Sequence, residues 1–239
     1  MPDDLETFIM VQQPTAERPL LGLTVLVVED SRFACEAMRL LCLRSGARIR
    51  RAGSLAAARR HLRVYRPSVV IVDLGLPDGS GADLIAELAR AQPRVDALIG
   101  ISGDSDAELR ALGAGADAFL EKPIAGLDEF QSAVLRLLPP ESQPKGPRAL
   151  LNEMVTPDPM ALQDDLSHVA DILTTQSDED MLDYIAQFLE GVARSAGDAP
   201  LAQAAHDLAL NRGAGAPYQS DLARVAGLVQ QRLENRAAM

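Results

Sequence analysis

Three carboxylates lie at the ends of two apolar segments of the chain. Asp73 ends the segment 68–72, while Glu29 and Asp30 end the segment 25–28. Such β-branched segments are typical of buried parallel strands, whose carboxyl ends meet at the edge of a sheet where ligands bind. Converging acids repel one another unless a cation compensates their charge, and Mg²⁺ with a phosphate is the usual solution. The residues therefore predict a phosphoryl-transfer site.

A lysine and a serine complete this candidate site. Lysine is rare here, and Lys122 follows the last predicted strand, where its ammonium group can pair with phosphoryl oxygens. Ser102 ends the fourth predicted strand and can donate a hydrogen bond to the same oxygens. A carboxylate attacks phosphorus when its charge is compensated, so we expect Asp73 to be the nucleophile. Glu29 and Asp30 would then hold Mg²⁺.

The first half of the chain alternates between β-branched runs and amphipathic stretches. The pattern predicts strands at 23–29, 47–51, 68–73, 97–102 and 117–121, and helices at 32–45, 54–65, 80–91, 105–113 and 126–138. Five such strand–helix units predict an α/β fold, a doubly wound five-stranded parallel sheet with helices on both faces.

The composition changes on either side of this α/β segment. Residues 1–22 form an irregular N-terminal extension that contains an apolar patch at 8–11. Residues 139–149 are a proline-rich linker, and residues 150–239 lack β-branched runs. Helical patterns at 159–175, 178–195, 199–211 and 218–236 predict a small all-α domain there.

Charge and composition limit the classes of function. The chain has 239 residues, 47% of them apolar, and a formal charge of −11, which disfavours a protein that coats nucleic acid. Residues 140–239 contribute fifteen acids and seven bases. Cys35 and Cys42 are about 10 Å apart along one predicted helix, too far for a disulfide. With no transmembrane run and no basic leader, we expect a cytoplasmic protein with reduced thiols.

Four segments together resemble the receiver domain of two-component response regulators. They are Val27–Ser31, the run 73–81 with its Asp73-Leu74-Gly75-Leu76-Pro77 start, the pair Ser102-Gly103, and Gly115–Pro123. All the expected motif positions occur in order over residues 23–138. The resemblance implies a flavodoxin-like receiver that takes a phosphoryl group from a histidine kinase or a histidine phosphotransfer protein.

The resemblance also implies a role for each motif residue. Asp73 would be phosphorylated, Glu29 and Asp30 would be the acidic pair that binds Mg²⁺, and Lys122 would contact the phosphate. The remaining roles are a metal contact from the Gly75 carbonyl, a switch pair of Ser102 and Phe119, and a cis peptide bond before Pro123. Beyond this autocatalytic phosphorylation and dephosphorylation we expect no enzymatic activity.

His206 gives the C-terminal region an alternative interpretation. Its surroundings, Ala204-Ala205-His206-Asp207-Leu208, faintly resemble a histidine phosphotransfer domain, in which a histidine in a helical bundle carries the phosphoryl group. Ala209 and Leu210 depart from that pattern, which favours an ordinary helical histidine.

Three hypotheses for the output follow. The first is a phosphorylation-controlled switch in which residues 150–239 bind a protein partner or a second copy of the chain. The second is a phosphorelay intermediate that uses His206. The third, transcriptional control, is disfavoured because the C-terminal region is acidic and DNA binders need a positive surface. We therefore predict a bacterial response regulator with an atypical helical output region.

Overall fold

The computed structural model describes residues 13–104, 107–146, 153–175 and 179–237. The apolar patch at 8–11 lies outside these residues, as does the end of the proline-rich segment. Within that segment, residues 140–142 form one 3₁₀ turn.

The α/β segment contains the predicted parallel sheet. Its five strands are β1 (Thr24–Val28), β2 (Arg48–Ala52), β3 (Val69–Asp73), β6 (Ala97–Ser102) and β7 (Ala118–Glu121), in the order β2-β1-β3-β6-β7. All four strand pairs are parallel, and β3 lies at the centre of the sheet. The predicted fold class is confirmed, and Asp73 ends the central strand.

Five helices cover the two faces of this sheet. They are α1 (Arg32–Ser45), α2 (Leu55–Val64), α3 (Gly81–Arg90), α4 (Ala107–Ala114) and α5 (Leu127–Leu137). Alternate residues of β1 point to opposite faces, so that Val25 and Val27 pack with α1 and α5, whereas Leu26 and Val28 pack with α2 and α3. Burial on both faces explains why these strands are continuously apolar.

One small element between β3 and α3 was not predicted. β4 (Gly75–Leu76) and β5 (Gly79–Ser80) pair as an antiparallel hairpin of two residues per strand. Strands this short carry no periodic pattern, and Gly79 supplies the positive φ of 140° that the turn requires.

The described residues of the C-terminal region form four helices, whose bounds lie close to the predicted ones. They are α6 (Pro159–Thr175), α7 (Glu179–Ser195), α8 (Ala199–Gly213) and α9 (Gln219–Ala237). Their apolar faces share a core that includes Leu166, Ile185, Leu189, Leu208 and Val225. We call residues 159–237 the helical region.

The helical region packs against the α/β segment through α6 and α7, which contact α1 and the β4–β5 hairpin. This contact places the helical region beside the carboxyl ends of the strands. No helix within the described residues has the length and apolar character needed to cross a membrane.

Candidate functional site

The carboxyl ends of β1 and β3 bring the three predicted acids together. Oxygens of Glu29, Asp30 and Asp73 all lie within 4.8 Å of one another. Glu29 is 1% exposed and Asp73 is 6% exposed, so little solvent screens their charges. Their position follows from the parallel register of β1 and β3, which pairs Val28 with Val72 and ends both strands at the same edge.

Lys122 is the cation that links two of these acids. Its Nζ lies 2.6 Å from Glu29 Oε2 and 2.7 Å from Asp73 Oδ2. The Lys122 backbone N–H donates to the Ser102 carbonyl at 2.8 Å, which ties the lysine to the neighbouring strand. Burial lowers the pKa of Lys122, but the charges of Asp73 and Glu29 outweigh this and raise it, so the ammonium group stays charged.

The two acids of the pair resist ionisation because they are buried close to other carboxylates. Burial raises the pKa of Glu29 well above its usual value, although Lys122 opposes the shift. Burial also raises the pKa of Asp30 to about 6, against a hydrogen bond from Tyr184 that lowers it. A cluster of this kind gains stability from additional positive charge.

A divalent cation fits the same residues. Asp30 Oδ1 is buried and has no hydrogen-bond partner among the described residues, so one oxygen is available as a ligand. Carboxylate oxygens are the donors that Mg²⁺ prefers, and Mg²⁺ keeps several waters when only a few protein oxygens bind it. Glu29, Asp30 and Asp73 would supply these oxygens.

The other predicted site residues lie around the cluster. Ser102 is 9% exposed, and its Oγ accepts a hydrogen bond from the Asp104 backbone N–H at 3.1 Å. Phe119 is partly buried and packs beside Gly100 of the adjacent strand. The Lys122–Pro123 peptide bond is cis, as the resemblance implied. The roles of Ser102 and Phe119 as a switch pair stay predictions.

Two glycines shape the backbone around Asp73. Gly81 lies so close that a Cβ there would meet the Asp73 carbonyl oxygen at 1.9 Å, so only glycine allows α3 to begin at this point. The Gly75 N–H donates to Asp73 Oδ1 at 3.3 Å. Because Gly75 has no side chain, Gln187 Oε1 can lie 3.6 Å from the place where a Cβ would stand.

The first turn of α1, beside this cluster, is held by a carboxylate of the helical region. Asp165, which is 3% exposed, accepts hydrogen bonds from the Arg32 and Phe33 backbone N–H groups at 2.9 and 3.1 Å. It also accepts one from Ser31 Oγ at 2.8 Å. Backbone N–H groups at a helix start lack intrahelical partners, so Asp165 caps α1 from a position 134 residues further along the chain than Ser31.

One face of α7 crosses the site. Tyr184 donates a hydrogen bond from its hydroxyl to Asp30 Oδ2, and Arg194, near the end of the helix, donates to the Gly103 carbonyl. Residues 184, 187, 191 and 194 follow helical spacing, so they lie on one side of α7. These contacts could not be predicted from the sequence, because polar residues at helical spacing are also typical of a solvated helix surface.

A cavity of about 420 Å³ separates the two regions at this point. Asp73, Lys122 and Ser102 line one side, and Gln187 and His206 line the other, with further residues from both regions. His206 also contacts Glu190, with Nδ1 3.2 Å from its carboxylate oxygen. The structure thus brings the predicted His206 to the same cavity as the predicted phosphoacceptor.

Comparison with known proteins identifies the α/β segment. Residues 25–134 match the model of the response regulator receiver domain family. The transcriptional regulatory protein KdpE of Mycobacterium tuberculosis is 37% identical over 106 residues, which cover 44% of this chain and 46% of that protein. The KDP operon transcriptional regulatory protein KdpE of Escherichia coli is 32% identical over 108 residues, covering 45% of this chain and 48% of that protein. The chain thus spans about half the length of these relatives.

A solved structure is similar to about half of the chain. A putative response regulator from Chloroflexus aurantiacus covers 48% of this chain, with 96% of its own length matched, at 25% identity and a TM-score of 0.46. The family match and the sequence relatives place residues 25–134 among the receiver domains of two-component response regulators.

Proposed function

We propose that Asp73 accepts a phosphoryl group from a phosphohistidine donor, with Mg²⁺ bound by Glu29, Asp30 and Asp73. The observation that carries this proposal is the cluster of three carboxylates within 4.8 Å, with Lys122 bridging two of them. Bound Mg²⁺ supplies charge compensation on the phosphoryl oxygens. Asp73 Oδ2 lies 2.7 Å from the Lys122 ammonium group, which stabilises negative charge on those oxygens.

We further propose that phosphorylation weakens the docking of the helical region. Ser102 is followed by Gly103, whose carbonyl accepts the hydrogen bond from Arg194. A Ser102 hydroxyl that turns toward a phosphoryl group draws this loop away from α7. The released surface of α6 and α7 then binds a protein partner or a second copy of the chain, which makes docking the two-state element of the switch.

Labelling with acetyl [³²P]phosphate tests the acceptor. We expect Mg²⁺-dependent label on the wild-type chain and none on Asp73→Asn. The control is Asp83→Asn, because Asp83 is an exposed acid in the first turn of α3, and its label should match that of the wild type. Label that persists on Asp73→Asn would refute the assignment of Asp73.

A phosphorelay through His206 is the second candidate, favoured by the position of His206 in the cavity that Asp73 lines. Phosphohistidine is stable to alkali and labile to acid, whereas an acyl phosphate is labile to alkali. The control is His168, an exposed histidine of α6. Alkali-stable label that disappears in His206→Ala and survives in His168→Ala would support this relay. Alkali-stable label absent from the wild-type chain would rule it out.

Transcriptional control is the third candidate function, and fewer observations support it. The KdpE relatives are named as transcriptional regulatory proteins, but the matches cover less than half of this chain. Its C-terminal hundred residues carry fifteen acids and seven bases, whereas a DNA-binding surface needs clustered positive charge. We therefore propose a protein partner for the output.

A further inference from the structure

We propose that Gln187 is a catalytic residue that orients the water which hydrolyses phosphorylated Asp73. The helical region would thereby set the lifetime of the signal from within the same chain. This inference rests on the proposed phosphorylation of Asp73 and goes beyond it, because it assigns a reaction to a residue outside the receiver domain.

The position of Gln187 is the first observation. It lines the cavity together with Asp73 and Lys122. Its Oε1 lies 3.6 Å from the place where a Cβ on Gly75 would stand, and among the described residues no other atom outside the immediate chain neighbours is within 4 Å of that place. The Gly75 N–H donates a hydrogen bond to Asp73 Oδ1. The Gln187 amide therefore lies beside a residue that contacts the proposed phosphoacceptor.

The second observation is that α7 is held on both sides of Gln187. Tyr184, three residues earlier, bonds Asp30, and Arg194, seven residues later, bonds the Gly103 carbonyl. Gly191 allows close approach, since its Cα lies 3.4 Å from the place where a Cβ on Gly103 would stand. These contacts fix the rotation of the helix, and they leave the Gln187 side chain to reach into the cavity.

The third observation is that the Gln187 amide is uncommitted within the described residues. No hydrogen bond, ion pair or ring contact engages it there. A primary amide offers one acceptor and two donor hydrogens, so it can accept from a water and donate to a phosphoryl oxygen at once. A glutamine that orients an attacking water in this manner is an effective element of phosphoryl hydrolysis.

The reaction balances without an added reagent. The oxygen of the water forms a bond to phosphorus as the bond between phosphorus and the Asp73 carboxyl oxygen breaks. The electron pair of that bond returns to the carboxylate, which Lys122 stabilises. One water proton passes to a phosphate oxygen or to solvent, and inorganic phosphate leaves through the open side of the cavity.

Hydrolysis in the docked form and release on phosphorylation are compatible. Phosphorylated chains exchange between the two arrangements, and only the docked arrangement places Gln187 at the acyl phosphate. A variant that loses the amide without losing the docking should therefore keep its label longer.

The test follows the loss of label from the full chain after acetyl phosphate is removed in the presence of Mg²⁺. We expect Gln187→Ala to lose phosphate about tenfold more slowly than the wild type, since tenfold corresponds to one well-placed hydrogen bond in the transition state. Gln203→Ala is the matched control, because Gln203 is an exposed glutamine on α8 that bonds Asp207. That control should keep the wild-type rate.

One further measurement and one further variant separate the catalytic role from a structural one. Hydrogen exchange of the Arg32 and Phe33 amides, which Asp165 holds, reports whether α6 and α7 stay docked. If Gln187→Ala alters that exchange, the loss of label is measured in Gln187→Leu instead, because leucine keeps most of the side-chain volume without the amide.

The outcomes are distinct. Slower loss of label in a Gln187 variant that keeps the wild-type hydrogen exchange supports the proposal. A wild-type or faster rate overturns it while leaving the phosphorylation of Asp73 intact. A wild-type chain that takes no label would refute the proposed function itself.

Discussion

The residues at the site are more readily recognised from the sequence in the receiver domain than in the helical region. In the receiver domain, parallel strands end at one edge and collect Glu29, Asp30 and Asp73, so the chemistry is visible in the sequence order. In the helical region, the residues that reach the site come from α6, α7 and α8 and follow ordinary helical spacing. The comparison shows that the carboxylate cluster can be recognised from local sequence, whereas the contacts around it depend on how the two regions pack.

The strongest prediction concerns the receiver side of this comparison. Asp30→Asn keeps an oxygen that can accept a hydrogen bond from the Tyr184 hydroxyl but removes a carboxylate from the proposed metal site. We expect the rate of Mg²⁺-dependent labelling to fall by about 100-fold, since a bound metal contributes several kcal/mol of charge stabilisation. The rate is measured with acetyl phosphate over a series of Mg²⁺ concentrations.

Asp83→Asn again provides the reference, because it removes an exposed acid and leaves the cluster intact. Labelling of Asp30→Asn at the wild-type rate would mean that the acidic pair does not hold the metal.

The next prediction concerns the helical side. Asp165→Asn should weaken the docked arrangement by about 1–3 kcal/mol, because a buried carboxylate that accepts three hydrogen bonds becomes a neutral amide. Amide exchange of Arg32 and Phe33 should accelerate accordingly.

Its neighbour offers a matched control. Asp164 pairs with Arg32 at 2.6 Å, but the two side chains are 48% and 67% exposed, so Asp164→Asn should change the free energy by less than about 1 kcal/mol. Equal effects of the two substitutions would show that Asp165 does not hold the regions together.

The smallest predicted effect lies within the helical region. Asp198 accepts hydrogen bonds from Arg232 at 2.8 and 3.0 Å and caps α8 through the Leu201 N–H at 3.2 Å. The Arg232 hydrogen bonds hold the pKa of Asp198 below its usual value. Its stabilising contribution is therefore complete at neutral pH and is lost as the pH falls through the pKa of the folded form.

Asp198→Asn should lower the free energy of unfolding by about 1 kcal/mol at pH 7 and by less at acidic pH. Urea unfolding at the two pH values measures this difference. Asp207→Asn serves as the comparison, since its pair with Arg224 is more exposed. A cost for Asp198→Asn that does not shrink in acid would refute the role given to this ion pair.

The receiver domain and the helical region also differ in how much of their structure could be predicted from the sequence. The strands were predictable because segments such as Val69–Val72 are buried on both faces, and the acids were predictable because they follow such strands. The β4–β5 hairpin was not, since two residues form no pattern. The bounds of the C-terminal helices were close, and both cysteines are buried and unpaired as expected.

The contacts between the regions were beyond sequence reasoning. Tyr184 and Asp165 come from different helices and reach residues more than a hundred positions earlier in the chain. Only the packed arrangement shows that their partners are Asp30 and the first turn of α1. His206 was identified from its surroundings, but its place at the cavity depends on the same packing.

We propose that phosphorylation of Asp73 and docking of the helical region are energetically linked. Linkage of this kind is reciprocal. If a phosphoryl mimic weakens the docking of the helical region, the docked form binds that mimic less tightly than the undocked form does. Beryllofluoride with Mg²⁺ serves as the mimic, and the amides of Arg32 and Phe33 report the contact with Asp165.

Hydrogen exchange at these two amides, measured with and without beryllofluoride and Mg²⁺, tests this linkage. We expect faster exchange in the wild-type chain when the mimic is bound, and no change in Asp73→Asn. Unchanged or slower exchange in a wild-type chain that binds the mimic would contradict it.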